Sequence, residues 1–212
     1  MIDLTPNIIL SKPQLGENIG SCARAMKNFG IEKLRLIEPR DGWPNSSAYA
    51  ISAGADNILD KTKLFKSLIE STKDISLLFA TTARKRVIGT KSLNIFEAIN
   101  KSFDHVVHGG KVGFLFGPEQ SGLSNDDVVQ ADFTISIPLN ENFSSLNLSQ
   151  AVLLICWEWN KVRMSYLKED NETIKVNKKL KKSTELSNVG DREYFYTQLD
   201  DLLSKSGFFY SP

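Results

Sequence analysis

Ser136-Ile137-Pro138-Leu139-Asn140-Glu141-Asn142-Phe143-Ser144-Ser145-Leu146-Asn147-Leu148-Ser149-Gln150 joins an apolar run, Phe133 to Ile137, to the strongest helical pattern of the chain. Pro138 has no amide to give a sheet, so the strand ends there and a polar loop follows. Asn147 stands where a helix N-cap is expected, immediately before Leu148. From Leu148 to about Met164, Val152, Ile155, Cys156 and Trp159 repeat at the i, i+3, i+4, i+7 spacing of one buried face. Leu153 and Trp157 widen that face beyond the needs of a one-sided surface helix. Such a helix is either a central core element or a dimer interface.

Working outward, short apolar runs alternate with helical patterns. Asn7 to Leu10, Lys33 to Ile37, Ile75 to Thr81, Lys111 to Phe116 and Phe133 to Ile137 read as strands. Glu17 to Phe29, Leu64 to Ser71, Ile95 to Lys101 and Asn125 to Gln130 read as helices. Strands this short and apolar, separated by helices, predict an α/β fold with a mostly parallel sheet covered on both faces. After Tyr166 the composition turns charged and polar. Lys168 to Asn188 is expected to be a linker, and Asp191 to Leu203 a further helix through Phe195, Leu199 and Leu202. The chain therefore divides into a main domain, 1–165, and a linker with a helical C-terminal extension, 166–212.

Composition narrows the function. With 41% hydrophobic and 24% charged residues over 212 positions, the chain is of the globular type. No apolar run reaches the ~18 residues of a membrane span, and Met1-Ile2-Asp3-Leu4-Thr5-Pro6 lacks the pattern of a signal peptide. Cys22 and Cys156 have no metal-type spacing and are expected to be reduced core residues of a cytoplasmic protein. The net charge of +1 says little, but Lys161 to Lys182 holds eight basic residues against three acidic ones, and Arg84-Lys85-Arg86 follows a predicted strand. Such runs can neutralise phosphates or can simply be solvated linker. His105 and His108 fall in a predicted loop with Asp104 beside them but no cysteine, and no metal site is expected.

Two upstream segments carry further chemistry. In Asn18-Ile19-Gly20-Ser21-Cys22-Ala23-Arg24, small residues permit close backbone approach, and Arg24 is the lone charge. It is either the wet edge of an amphipathic helix or a functional cation. The strand-to-helix turn before it is not the Gly-x-Gly-x-x-Gly of a dinucleotide fold, nor a phosphate-binding P-loop. In Phe116-Gly117-Pro118-Glu119-Gln120-Ser121-Gly122-Leu123, a carboxylate follows the carboxyl end of a buried strand, where α/β sheets bind ligands. The alternative is a surface glutamate in an ordinary turn. Ser124 and Asp127 resemble a capping box at the start of the next helix.

Together the three segments resemble the ordered motifs of the SpoU (TrmH-type) branch of the SPOUT RNA methyltransferases. The match spans roughly residues 7 to 165 and is nearest the TrmJ-type subgroup, through Gly20 to Gly30 and Ala53-Gly54-Ala55-Asp56-Asn57-Ile58-Leu59. The resemblance implies a C-terminal trefoil knot, S-adenosyl-L-methionine as methyl donor, RNA as acceptor and a homodimer. It implies catalytic roles for Arg24, Glu119, Ser145 and Asn147. The donor site would take Thr81, Thr82, Ala83, Leu115, Gly117, Gly122, Ile137, Ser144, Ser145 and Leu146, and Arg24, Arg84 and Arg86 would face RNA. The implied acceptor is the ribose 2′-hydroxyl of a pyrimidine at tRNA position 32, in the anticodon loop. Another tRNA or rRNA ribose, or a non-catalytic RNA-binding module of the same fold, stays open. A guanidinium is a poor general base, so Arg24 either works with a neighbouring phosphate or orients the hydroxyl and steadies its developing charge. The chain stops at Pro212, where the subgroup carries a longer helical extension with an Arg-rich stretch.

Overall fold

Seven strands form one parallel sheet among the described residues: β1 (Asn7–Ser11), β2 (Lys33–Ile37), β3 (Lys63–Phe65), β4 (Leu77–Thr81), β5 (Lys91–Asn94), β6 (Val112–Phe116) and β7 (Phe133–Ser136). Their order is β3-β2-β1-β6-β4-β7-β5, and every neighbouring pair is parallel. All carboxyl ends therefore lie along one edge. The computed structural model describes residues 3–83, 91–140, 142–143, 145–172, 186–206 and 208–209.

The helices are α1 (Gly16–Asn28), α2 (Ser46–Ser52), α3 (Asp56–Asp60), α4 (Leu68–Thr72), α5 (Ile95–Val107), α6 (Asn125–Val129), α7 (Leu148–Glu172) and α8 (Val189–Lys205). The two-residue period of the central strands sends alternate side chains to opposite faces. Ile8, Leu10, Phe79, Phe114 and Phe116 pack with residues of α1, α5 and α7. Ile9, Leu78, Ala80 and Leu115 pack with Leu68 of α4, Val128 of α6 and Val189 of α8. The expected parallel sheet with two covered faces is what forms.

Trp159 is the largest fully buried side chain. Its ring meets Phe103 and Phe114 edge-on at 5.3 and 5.9 Å, and its Nε1 donates to the Leu4 carbonyl at 3.1 Å. Val152, Ile155 and Cys156 are buried beside it, so the periodicity of α7 identified the right face. Leu153 and Trp157 remain 39% and 46% exposed. The apolar surface of α7 is thus larger than this chain alone covers.

Several expectations need correction. Leu64 to Ser71 is not one helix but β3 followed by α4. Ser67 caps α4 by accepting from the Glu70 amide, while the Glu70 carboxylate accepts from the Lys66 amide at 2.9 Å. α7 continues to Glu172, beyond Met164 and into the segment expected to be linker from Lys168. His105 lies in the last turn of α5 and His108 at its C-cap, not in a loop. His105 Nε2 contacts Ser76 Oγ at 2.7 Å, and burial lowers its pKa despite the neighbouring Asp104.

Two polar ties set the ends of the fold. Arg35, buried in β2, pairs bidentately with Asp74 and also donates to Asn7 Oδ1 at 3.0 Å and to the Ser71 carbonyl. That arrangement joins β1 and β2 to the end of α4. At the other tie, the Val189 amide donates to the Ile75 carbonyl at 2.8 Å. Arg192 pairs with Asp132, whose Oδ2 accepts from the Leu78 amide at 2.8 Å. The first turn of α8 is thereby fixed at the amino-terminal side of β4 and β7.

Candidate active site

The sheet edge formed by the carboxyl ends of β4, β6 and β7 opens into a cavity of about 300 Å³. Ile137, Leu139 and Leu146 supply apolar wall, and the loop Gly117 to Leu123 supplies backbone. Thr81, Thr82 and Ala83 close the side nearest β4, and Ser145 lies at the rim. The sheet topology explains the place: β1 starts in the middle, the chain moves out through β2 and β3, then returns to the other side through β4. Ligands of open α/β sheets bind at such reversals.

The 117–123 loop is tight. A Cβ on Gly117 would stand 2.2 Å from the Leu123 nitrogen, so no larger residue fits without moving backbone. The Gly122 amide donates to the Pro118 carbonyl at 2.8 Å, and Gly122 itself sits at φ +63°, a conformation that favours glycine. Ser124 and Asp127 then form the expected capping box of α6.

Glu119 points back toward α1 and gathers three donors. Its carboxylate accepts from the Gln14 amide at 2.8 Å, the Leu15 amide at 3.3 Å and Asn18 Nδ2 at 2.7 Å. The N-cap residue of α1, Leu15, has no side chain able to accept, and Glu119 serves that helix end from the loop after the neighbouring strand β6. Asn18 Oδ1 in turn accepts from Asn147 Nδ2 at 3.0 Å. Asn147 also caps α7: its Oδ1 accepts from the Ser149 amide at 2.8 Å, and its own amide donates to Gln150 Oε1 at 3.1 Å. One hydrogen-bonded chain, Glu119 to Asn18 to Asn147, therefore links the three motifs. Asn18 is its centre, a role that its place in the first motif did not distinguish from that of a buried polar residue.

The remaining sequence-derived residues separate. Leu115 does not line the cavity. Its side chain is fully buried in the opposite core, and its carbonyl accepts from Thr81 Oγ1 at 2.9 Å. Ser144, Arg84 and Arg86 lie outside the described residues. Arg24 is exposed and does not reach the main cavity; it lines a second hollow of about 210 Å³ with Ser21, Asn28, Ile51, Gln150 and Leu153. Arg24 lies six positions beyond Asn18 on α1, about 9 Å along the axis. Cys22 and Cys156 are buried free thiols. Burial raises the pKa of Cys22 well above its usual value and pushes that of Cys156 up to about 12, so neither supplies a thiolate.

Among the described residues no group of three or more His, Cys, Asp or Glu could hold a metal ion, and no helix is long and apolar enough to cross a membrane.

Residues 5–157 match the model of the SpoU rRNA methylase family. The tRNA (cytidine/uridine/adenosine-2′-O-)-methyltransferase TrmJ of Pseudomonas aeruginosa is 33% identical over 98% of this chain and 80% of its own length. The crystal structure of TrmJ from Z. mobilis ZM4 is 39% identical with a TM-score of 0.79, over 97% of this chain and 83% of that one. The SpoU methyltransferase AviRb from Streptomyces viridochromogenes, solved in complex with AdoMet, shares the fold at a TM-score of 0.61. It is 22% identical over 78% of this chain and 63% of its own. With the matched segment covering all seven strands and the cavity between them, this chain belongs to the SpoU rRNA methylase family.

Proposed function

We propose that this chain is an S-adenosylmethionine-dependent tRNA ribose 2′-O-methyltransferase, acting on a pyrimidine at position 32 of the anticodon loop. The observation that carries the reading is the Glu119–Asn18–Asn147 chain, which ties the first motif to the two whose residues line one cavity at the carboxyl edge of a parallel sheet. The cavity suits the donor: apolar wall for an adenosine, backbone groups beside it, and a Gly117 loop in which a Cβ would collide.

When bound there, S-adenosylmethionine supplies a methyl group already activated for transfer, so no metal is required. The protein's own part is to hold two reactants in line and assist proton removal. Orientation can contribute ~7–11 kcal/mol, and base assistance roughly 10²–10⁴-fold. Glu119 fixes the turn before α1, Asn147 fixes the start of α7, and Ser145, Leu146 and Ile137 shape the donor side. Thr81, Thr82, Ala83, Gly117 and Gly122 complete it, with Ser144 assigned by motif alone. Leu115 contributes through its carbonyl, which holds Thr81.

Arg24 faces the second hollow together with Ile51 and Leu153, and Trp157 continues that exposed apolar surface on α7. We take this face as the homodimer interface, with Arg24 completing the acceptor side of the partner's site. Arg84 and Arg86 are assigned to RNA contact, residues 1–165 to the catalytic domain, and 166–212 to the extension. The segment 137–147 would form the last part of the trefoil knot. The setting is cytoplasmic, where Cys22 and Cys156 stay reduced.

The test uses an unmodified tRNA transcript and the same transcript carrying a 2′-deoxyribose at position 32. Methyl transfer to the first and none to the second is expected. Equal transfer to both would discard the assigned position.

A further inference from the structure

We propose that Phe143 is a stacking platform for a nucleobase of the acceptor RNA. This rests on the reading of the acceptor as RNA and adds the residue that receives one of its bases. At 76% exposure Phe143 is the most exposed large hydrophobic side chain among the described residues. Its amide donates to the Asn140 carbonyl at 2.9 Å, and the Asn142 amide donates to Asn140 Oδ1 at 3.0 Å, so its backbone is held in a short turn with Asn140.

In the sequence Phe143 stands between Leu139 and the pair Ser145 and Leu146, all three of which line the cavity. The ring therefore stands within a few residues of the place assigned to methyl transfer, on the side open to solvent. Its described neighbours in the turn, Asn140, Asn142 and Ser145, are polar and exposed. A contiguous apolar patch would suit a protein partner; a single flat ring in a polar rim suits a base, which needs one π-face and leaves its edges hydrated. Tyr194 and Phe195, also exposed, lie on α8, which docks at the other end of the strands. They are not placed to meet a nucleotide entering this cavity.

The test compares Phe143→Ala, Phe143→Leu and Phe143→Trp in the full chain. Affinity for a tRNA transcript is read by fluorescence anisotropy and affinity for S-adenosylmethionine by calorimetry. Loss of one stacked base predicts tRNA binding weaker by about 5- to 150-fold in Phe143→Ala. Phe143→Leu, apolar but without a π-face, should remain weak, and Phe143→Trp should recover. Donor affinity should stay within about twofold throughout, because the ring lies outside the cavity. Unchanged tRNA affinity in Phe143→Ala, or full rescue by leucine, would overturn the stacking role. Loss of donor affinity would instead make Phe143 a support of the cavity wall. Wild-type protein that binds donor but no tRNA would remove the RNA reading itself, and this assignment with it.

Discussion

Glu119, whose motif implies a catalytic role, has the bonding of a structural anchor. With two backbone amides and Asn18 on its oxygens, its first task is to hold the turn ahead of α1. Glu119→Gln places an amide NH₂ against those donors. We predict a loss of about 1–3 kcal/mol of stability, measured by urea unfolding, with weaker donor binding following from the displaced turn. Unchanged stability would mean that the carboxylate is held for chemistry alone. Arg24 makes the opposite case, since it is exposed and tied to nothing around the main cavity. Arg24→Ala should lower methyl transfer by at least about 10²-fold and leave donor affinity within twofold. A loss of donor affinity would reverse its assignment to the acceptor side. The short motifs that hold these residues were visible in the sequence. Their bonding was not, because Glu119 and Asn18 lie 101 positions apart. Leu115 shows the limit from the other side: motif position put it at the donor, whereas strand alternation turns its side chain into the far core.

The elements recovered most cleanly are those whose burial is recorded in their composition. Lys33–Ile37 and the buried face of α7 are of that kind, the latter through four apolar residues at helical spacing. β3 and β5 escaped because they are edge strands of three and four residues with mostly exposed side chains, leaving no apolar run to read. α2 is short and leans on Asn45, whose side chain accepts from the Ala48 amide; at seven residues the helix is too brief to show a period. Buried Arg35 could not be anticipated either, because its partner Asp74 comes from a distant turn. Hydrogen bonding from Arg35, reinforced by its charge, holds the Asp74 carboxyl well below the usual carboxylate range. The folded-state pKa is thus depressed, so this contribution to stability is complete above about pH 4 and disappears as the pH falls further. Asp74→Asn should destabilise by about 1–3 kcal/mol at pH 7, because it leaves the guanidinium short of an acceptor. The difference from wild type should shrink in acid; a difference independent of pH down to pH 2 would contradict the pairing. At the other tie, Arg192→Ala removes the cation facing Asp132. We expect α8 to become cleavable by protease under conditions where residues 1–165 resist, and equal resistance would show that Val189 alone suffices.

On the scale of the whole molecule, the main cavity and the hollow that Arg24 lines are separate on one chain, and the proposed dimer would bring them together. Mixing Arg24→Ala with Asn147→Ala chains tests this without a structure of the assembly. Each mixed dimer would hold one intact site and one doubly defective one, so random mixing should restore about a quarter of wild-type activity. No recovery, or a strictly monomeric protein in sedimentation, would confine the site to one chain. The whole account rests on methyl transfer to a ribose of RNA. The most direct measurement is transfer of labelled methyl from S-adenosylmethionine to total tRNA and rRNA, followed by mapping of the modified nucleoside. A 2′-O-methylated pyrimidine at tRNA position 32 is the predicted result. Absence of label in every RNA, from protein that binds the donor, would contradict it.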